Sequence, residues 1–232
     1  MKKEKWYQKK IIKVPVYGII IGLLLQVLMQ IIYYPLGGWY ANLPGKTIHI
    51  LKIDAIDDAI PMVKIFILPY ILSYVYWLIG LIIPAKNDKQ YYFDWVIGSV
   101  IALTVGCIIF FIYPTYMYRD QPDLYAMAGD DFLGKLITTI YDGDGKNLAS
   151  CLFPSYHCLT STLCLLGALG RKEISKGYRI YSLIFAVLIY LSTLFVRQHY
   201  TPDVICGILL AVLGIGLSKK FHWGRILAKR FS

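Results

Sequence analysis

The chain has 232 residues, of which 57% are hydrophobic and 16% are charged, and its formal net charge is +10. A soluble domain usually carries about 25% charged residues and under half apolar ones, so this composition indicates a membrane protein. It excludes a disordered chain, a collagen-like fibre and a small disulfide scaffold, because long apolar runs dominate and only five cysteines occur.

Six apolar stretches follow one another along the chain, and each approaches the roughly 17–25 residues that a helix needs to cross a bilayer. Near the ends of later stretches, Lys64, Asp94 and Arg179 are expected to extend toward the membrane surface. No repeat, low-complexity segment or linker interrupts the chain. The pattern therefore predicts one all-α domain over residues 1–232, an integral membrane six-helix bundle. The predicted spans are residues 14–34, 60–83, 92–113, 154–170, 177–196 and 202–219.

Both ends of the chain admit two interpretations. The stretch at 14–34 is either an uncleaved span or a signal peptide. Its apolar run exceeds the roughly 7–15 residues of a signal-peptide core and no small-x-small cleavage pattern follows, which favours an uncleaved span. The basic tail at 219–230 has interleaved apolar residues, so it either lies on the anionic inner leaflet or is a plain anchor.

Basic residues concentrate at alternate ends of the predicted spans. Of the 24 lysines and arginines, 17 lie in the amino-terminal segment, the 84–92 and 171–179 connections and the tail, against four acidic residues in or just beyond these segments: Glu4, Asp88, Asp94 and Glu173. The positive-inside rule places these segments, and with them both termini, in the cytoplasm. The positive charge is thereby assigned to membrane orientation rather than to nucleic acid. The loops predicted outside are 35–59, 114–153 and 197–201.

Two predicted spans begin at the outer face with a similar set of residues. Residues 154–157 (Pro-Ser-Tyr-His) open the fourth span, and residues 199–203 (His-Tyr-Thr-Pro-Asp) open the sixth. Proline favours the first turn of a helix, so both helices are expected to start there. Helix starts present free N–H groups and a positive dipole end, which bind anions and phosphate above all.

Two arginines flank the same region, Arg197 before the sixth span and Arg119 in the loop after the third. Arginine binds phosphate oxygens, while one histidine attacks or takes a proton and the other protonates the leaving group. Taken singly, each residue has a structural alternative: an interfacial histidine, a topology anchor at Arg197, or a helix-terminal charge at Asp203. Their convergence on one face favours phosphoryl chemistry.

At these residues the sequence resembles the type 2 phosphatidic acid phosphatase family, which shares its core with vanadium haloperoxidases. The family's motifs are Lys-x6-Arg-Pro, Pro-Ser-Gly-His and Ser-Arg-x5-His-x3-Asp. The second reads Pro-Ser-Tyr-His at 154–157, and the third reads Ser-Thr at 192–193 with His199 and Asp203 at the family's spacing. The first is reduced to Arg119 and a proline three residues later. The resemblance implies six spans and an outward-facing site.

Three positions depart from the family pattern. Ile112 stands in place of the lysine, Tyr156 in place of the glycine and Thr193 in place of the second arginine. Arg197 follows Thr193 by one helical turn, so we expect it on the last turn of the fifth span, where it supplies the missing charge. The variant pattern is closer to the branch that contains inositol phosphorylceramide and sphingomyelin synthases, which transfer phospho-headgroups between lipids.

The resemblance implies a role for each of these residues. His199 would be the nucleophile that forms a phosphohistidine, Asp203 would orient its ring, and His157 would be the general acid. The residues that would hold phosphate oxygens, beside the N–H groups of the fourth span's start, are Arg119, Ser155, Tyr156 and Arg197. No metal or other cofactor is expected, because the histidines have no obvious third ligand and the site is basic.

Two acidic pairs lie elsewhere in the predicted outer loops. Asp142 and Asp144 belong to a glycine-punctuated stretch similar to the start of a calcium loop, but Phe153 stands where that loop needs a glutamate. This stretch is interpreted as a turn-rich lid or substrate-contact loop. Asp57 and Asp58 are expected to cap the entry to the second span.

Three functions follow from these observations. The leading hypothesis is a hydrolase of a lipid phosphate or diphosphate, such as phosphatidic acid, phosphatidylglycerophosphate or an isoprenyl phosphate, at the outer face of the cell membrane. The second is a phospho-headgroup transferase, and the third is a transporter or non-catalytic scaffold. A transporter would show inverted repeats and helices broken near mid-membrane, and neither pattern occurs. The expected partners are the lipid substrate and the bilayer, with no nucleic acid; the oligomeric state stays open.

Overall fold

The computed structural model describes residues 6–33, 43–45, 47, 49–118, 123–144, 148–169 and 172–231. Within these residues the chain forms ten α-helices and two small antiparallel sheets. The helices are α1 (Val16–Ile31), α2 (Asp54–Asp57), α3 (Ile67–Gly80), α4 (Lys89–Ile112), α5 (Leu124–Ala128), α6 (Phe132–Asp144), α7 (Tyr156–Ala168), α8 (Lys176–Phe195), α9 (Thr201–Phe221) and α10 (Arg225–Arg230). The strand pairs are β1 (Lys10–Ile11) with β2 (Val14–Pro15), and β3 (Tyr116–Tyr118) with β4 (Leu148–Ser150).

In the described part of the chain, four helical segments are long and apolar enough to cross a membrane. They correspond to the second, third, fifth and sixth predicted spans. Helix α1 is apolar but has 16 residues and α7 has 13, which at 1.5 Å per residue is about 24 and 20 Å against a hydrocarbon core of about 30 Å. The all-α membrane class is confirmed, whereas the six-span count and the cytoplasmic termini stay predictions. The four segments are Lys64–Lys86, Lys89–Ile112, Lys176–Phe195 and Thr201–Phe221.

Helix α7 is the central element of the bundle. Twelve of its 13 residues are buried, because α3, α4, α8 and α9 pack around it. Its polar side chains therefore find partners inside the protein: Ser161 Oγ accepts from Trp77 Nε1 at 2.9 Å, and Thr162 Oγ1 donates to the Cys158 carbonyl at 2.7 Å. A helix enclosed by protein in this way needs neither the length nor the apolar surface of a lipid-facing span.

Side-chain caps determine where three of the helices begin: α4, α7 and α8. The Asp88 carboxylate accepts from Tyr91 N at the start of α4, and Ser175 Oγ accepts from Tyr178 N at the start of α8. Ser155 Oγ caps α7 in the same way. Each cap satisfies a backbone N–H that the first turn leaves without an intrahelical partner.

Asp94 is buried rather than extended toward the membrane surface, which corrects the expectation from its position near a span end. Its carboxylate accepts from Gln90 Nε2 and from Gly224 N at 2.8 Å, and it lies 3.4 Å from His222 Nδ1. These contacts attach the tail to α4. The tail also packs through Phe231, whose ring lies 5.3 Å from that of Tyr17. The tail is therefore part of the helix bundle.

Helices α4 and α9 approach each other through glycine. A Cβ atom on Gly214 would lie 2.7 Å from the Gly98 carbonyl oxygen, closer than backbone atoms tolerate. Gly216, two residues further along α9, is exposed, and a Cβ atom there would meet nothing within 4 Å. Replacing glycine by alanine therefore adds the same methyl group at both positions, against packed backbone at 214 and into open space at 216.

We predict that Gly214→Ala lowers the free energy of unfolding by about 1–3 kcal/mol, the usual cost of overpacking, because the opposing atom is backbone. Gly216→Ala should leave it unchanged or raise it by up to about 1 kcal/mol through higher helix propensity. Thermal unfolding of the purified protein in one detergent measures both variants. Equal melting temperatures for the two would contradict the close α4–α9 contact.

Candidate active site

Two buried histidines face each other where α7 and α9 begin. His157 is 5% exposed and lies in the first turn of α7, and His199 is 4% exposed and comes just before α9. Their ring centroids are 6.0 Å apart. Residues more than forty positions apart in the sequence are thereby brought to one point, as the two similar helix starts predicted.

The backbone joins these two helix starts directly. Ser155 N donates a hydrogen bond of 3.0 Å to the Asp203 carbonyl oxygen. Further along α9, a Cβ atom on Gly207 would clash with the Ser155 carbonyl oxygen, so only glycine permits this approach. The positive ends of both helices consequently point at the same small volume.

Asp203 orients the ring of His199. One carboxylate oxygen, Oδ2, lies 3.4 Å from His199 Nδ1 and accepts a 2.9 Å hydrogen bond from Tyr200 N. The aspartate is buried, so this pairing is shielded from solvent. A carboxylate on Nδ1 favours the tautomer with the proton on that nitrogen, which leaves Nε2 as the nitrogen that faces a substrate.

His157 is held by aromatic rings instead of by hydrogen bonds. Its ring stacks on Tyr70 at a centroid distance of 4.4 Å, and the ring of Trp77 meets it edge-on at 5.0 Å. Neither of its ring nitrogens has a hydrogen-bond partner among the described residues. Buried polar atoms are almost always paired, so both nitrogens are available to a substrate group or to water.

Ser155 and Tyr156 contribute differently from what the motif suggests. Ser155 is fully buried and its Oγ accepts from Cys158 N at 3.3 Å, so its predicted contact with phosphate stays a prediction. The Tyr156 hydroxyl donates to the Leu103 carbonyl oxygen at 2.5 Å, and its ring packs on Phe110. The hydroxyl thus attaches α7 to α4, and the predicted contact of Tyr156 with phosphate stays a prediction.

The predicted position of Arg197 on the last turn of the fifth span is wrong. Helix α8 ends at Phe195, and Arg197 adopts a left-handed conformation with φ of 53°. The N–H groups of Gln198 and His199 then bond back to the Thr193 carbonyl, which ends the helix and turns the chain toward α9. Arg119 lies outside the described residues.

The Arg197 side chain reaches across to the segment that precedes the second predicted span. Its two terminal nitrogens donate to the carbonyl oxygens of Asp57 and Ile60. Arg197 also lines a cavity beside His199, so its predicted contact with phosphate stays a prediction. Thr193, which stands at the family's arginine position, is fully buried and its Oγ1 donates to the Tyr190 carbonyl.

Asp57 caps a different helix from the one expected. Its Oδ1 accepts from Thr201 N at 2.8 Å and from Thr201 Oγ1 at 2.6 Å, and its Oδ2 accepts from Ile53 N. The carboxylate therefore caps the start of α9, where His199 and Asp203 lie, and not the entry to the second span. Asp58 is exposed and pairs with Lys52 at 2.7 Å.

Two cavities adjoin the histidine pair from different sides. One, the aromatic cavity, has a volume of about 20 Å³ and is lined by His157 and by side chains of α1 and α3, among them Tyr74 and Trp77. The other, the charged cavity, also has a volume of about 20 Å³, and it is lined by His199 with two basic and two acidic residues: Lys52, Arg197, Asp57 and Asp58. Each cavity is large enough for about one water molecule.

Comparison with known proteins agrees with this geometry. A family model described as the PAP2 superfamily matches residues 49–217, well over half of the chain. The chain belongs to the PAP2 superfamily. Comparisons with curated proteins and with solved structures give no match. Membership in the PAP2 superfamily confirms the resemblance and supports a phosphatase-like or related lipid-phosphate function for this membrane protein.

Sequence reasoning missed the aromatic surround of His157 and the capping role of Asp57. Three aromatic residues of α3 lie at the i, i+4, i+7 spacing of one helix face: Tyr70, Tyr74 and Trp77. This spacing is the sequence signal from which an aromatic surface on α3 could have been predicted. Nothing in the local sequence of Asp57 shows that its partner is 144 residues away.

We predict that Asp57→Ala lowers the free energy of unfolding by about 1–3 kcal/mol, because it leaves the half-buried Thr201 N–H without its charged acceptor. Turnover of a phosphate ester should fall about 10- to 100-fold, since His199 moves with the start of α9. Thermal unfolding and phosphate release measure the two effects.

Asp58→Ala is the matched control, because it removes the neighbouring carboxylate from an exposed ion pair. It should change stability by less than about 0.5 kcal/mol and leave turnover unchanged. If the two variants behave alike, Asp57 does not position the start of α9.

Proposed function

We propose that this PAP2 protein is a phosphatase that hydrolyses a lipid phosphate or diphosphate through a phosphohistidine. The proposal rests on the buried pair of His157 and His199, with Asp203 beside His199 and with two ring nitrogens on His157 that no described residue bonds. Nucleophile, orienting carboxylate and proton donor are the three parts that covalent phosphoryl transfer requires.

The reaction then has two displacements. His199 Nε2 attacks phosphorus, and the bond to the leaving oxygen breaks as His157 donates a proton to that oxygen. Asp203 stabilises the positive charge that the phosphorylated His199 ring acquires. His157, now neutral, takes a proton from water, whose oxygen attacks the phosphohistidine and releases phosphate. Both histidines return to their starting states, so no other reactant is needed.

Positive charge around the phosphorus has three sources in this proposal. The first source is the pair of helix starts: α7 supplies N–H groups, and the Ser155–Asp203 backbone bond holds the dipole ends of α7 and α9 together. The second is Arg197, which lines the cavity beside His199, and the third is Arg119, whose contact is a prediction. Such contacts matter most where charge develops in the transition state, and losing one typically costs about 10²–10³ in rate.

We infer from the charge distribution that the site faces outward in a six-span arrangement with both termini in the cytoplasm. Basic residues concentrate at the amino terminus and in the connections on the far side from the histidine pair. In this arrangement α1 and α7 complete the bundle as short elements, and a lipid substrate reaches the histidines from the outer leaflet.

A second candidate function is transfer of the phosphoryl-bearing group to a lipid alcohol. The observation that favours it is the aromatic cavity beside His157, because its largely apolar lining suits the carbon atoms next to an acceptor hydroxyl. An acceptor hydroxyl in the aromatic cavity would lose its proton to His157 in place of water. Phosphate release measured with and without an alcohol-bearing lipid separates the two functions: hydrolysis leaves the rate of release unchanged, and transfer lowers it as a new phospholipid forms.

We predict different failures for the two histidines with an activated aryl phosphate, whose leaving group needs no proton. His199→Ala should show no turnover and no labelled protein, because the nucleophile is absent. His157→Ala should still be phosphorylated but should turn over about 10²–10⁴-fold more slowly, so the phosphoenzyme accumulates. Radiolabel retained after rapid denaturation at alkaline pH, where phosphohistidine survives, measures this.

His222→Ala is the control for these variants, because His222 lies at the end of α9 remote from the pair and is largely exposed. It should keep full turnover. If the His199→Ala variant is labelled as strongly as the unmodified protein, a residue other than His199 is the nucleophile.

We predict that turnover survives excess EDTA, since the proposed charge stabilisation comes from helix starts and arginines. A strict requirement for Mg²⁺ or Ca²⁺ would contradict this prediction and would indicate a metal site at Asp142 and Asp144. Of these, Asp142 accepts a hydrogen bond from the Tyr125 hydroxyl at 3.0 Å. Phosphate release before and after dialysis against EDTA makes the comparison.

A further inference from the structure

A second charged cavity lies at the other end of the bundle. It measures about 450 Å³ and is bounded by the β1–β2 hairpin, the first turn of α1 and the connection between α3 and α4. Four lysines converge on it from two separate segments: Lys10, Lys13, Lys86 and Lys89. Among the residues that line it, Asp88 is the one acidic side chain.

This lysine cavity is remote from the histidine pair. Helix α4 begins at Lys89 beside the cavity and ends at Ile112, which at 1.5 Å per residue is about 36 Å away. Beyond that end, Thr115 Oγ1 accepts from Phe153 N, next to the start of α7. A ligand of the lysine cavity therefore cannot be the group that reacts at His199.

The walls of the lysine cavity are rigid. Gly18 of α1 packs directly against Ala85, where a Cβ atom would clash. Asn87 is buried, and its Nδ2 donates to the carbonyl oxygens of Pro84 and Gly167, which fixes the connection between α3 and α4. On the other side, Gln8 Nε2 donates to the Phe231 carbonyl. The backbone that carries the four lysines is therefore preformed, which lowers the entropic cost of binding, and the lysine side chains are the flexible part of the site.

The protein itself neutralises little of the positive charge of the four lysines. The ion pairs of the described residues involve none of the four lysines. Asp88 uses its Oδ1 to cap α4 by accepting from Tyr91 N. A net positive cavity with several flexible donors fits a phosphate-bearing anion, because lysine binds phosphate as a mobile point charge.

The surroundings of the cavity are those of a membrane surface. Ile12, at the tip of the β1–β2 hairpin, is 86% exposed, and Trp6, two residues before Gln8 of the cavity lining, is also exposed. Exposed apolar side chains next to clustered lysines are typical of contact with anionic lipid. Ile12 and Lys13 both have positive φ, a conformation that β-branched residues rarely adopt, so the hairpin holds Lys13 in an unusual position.

We propose that the lysine cavity binds a phosphate-bearing anion, either the headgroup of an anionic phospholipid or free phosphate, at the end of the bundle opposite the histidines. The site is independent of the proposed reaction, since it uses none of the residues of the active site. The anion bound in the lysine cavity undergoes no chemical reaction there.

The test uses the full chain purified in a neutral detergent. Native mass spectrometry counts bound molecules after addition of phosphatidylglycerol, of phosphatidylcholine or of inorganic phosphate. We expect a retained anion, and replacement of Lys10, Lys13, Lys86 and Lys89 by glutamine should weaken its binding about 10-fold or more, since each lysine adds to the attraction of an anionic headgroup. Retention of phosphatidylglycerol but not of phosphate identifies a lipid headgroup, and the reverse identifies free phosphate.

The matched control replaces four exposed lysines outside the cavity, Lys172, Lys176, Lys220 and Lys229, by glutamine. It removes the same net charge and should leave binding unchanged. Equal loss in the two variants, or binding of phosphatidylcholine as tight as that of phosphatidylglycerol, would overturn the proposal. Turnover per folded molecule, which should be unchanged in both, verifies that each variant is native; if the fourfold variant is not, Lys13→Gln and Lys86→Gln alone replace it.

Discussion

The hydrogen bond from Ser155 N to the Asp203 carbonyl is the contact on which the rest of the site depends. It joins two helices that the chain reaches from different directions and sets their positive ends side by side. Glycine at position 207 is its precondition, because any side chain there would displace the Ser155 carbonyl. Once the two starts are joined, His157 and His199 have no freedom to separate, and Asp203 lies where it can orient one of them.

The enclosure of α7 follows from the same constraint. A helix whose first turn carries the site must reach the centre of the bundle, so its neighbours surround it and twelve of its residues are buried. Its partners are accordingly specific: Trp77 bonds to Ser161, and the Tyr156 hydroxyl bonds to α4. On the opposite side of the site from these contacts, Asp57 and Arg197 hold the segment at 57–60 against the start of α9. The site is thus supported by polar contacts within the helix bundle and by polar contacts to this segment.

The sequence predicts the parts of this arrangement that local pattern determines. Apolar runs locate the long helices, and proline followed by a polar residue locates the two helix starts, so the meeting of residues 157, 199 and 203 is foreseeable. The end of α8 is not, because the Thr193 carbonyl captures two later N–H groups and places Arg197 off the helix. Asp57 and Asp94 are also beyond local reasoning, since their partners lie 144 and 130 residues away. Long-range polar contacts leave no periodicity in the sequence.

The most direct measurement of the central claim is the stereochemical course at phosphorus. A phosphate ester made chiral with oxygen isotopes can be turned over, with an alcohol as acceptor, and the configuration of the product determined. Attack by His199 followed by attack on the phosphohistidine is a double displacement, so the account predicts overall retention. Overall inversion would show a single in-line attack by the acceptor, and His199 would then not be the nucleophile.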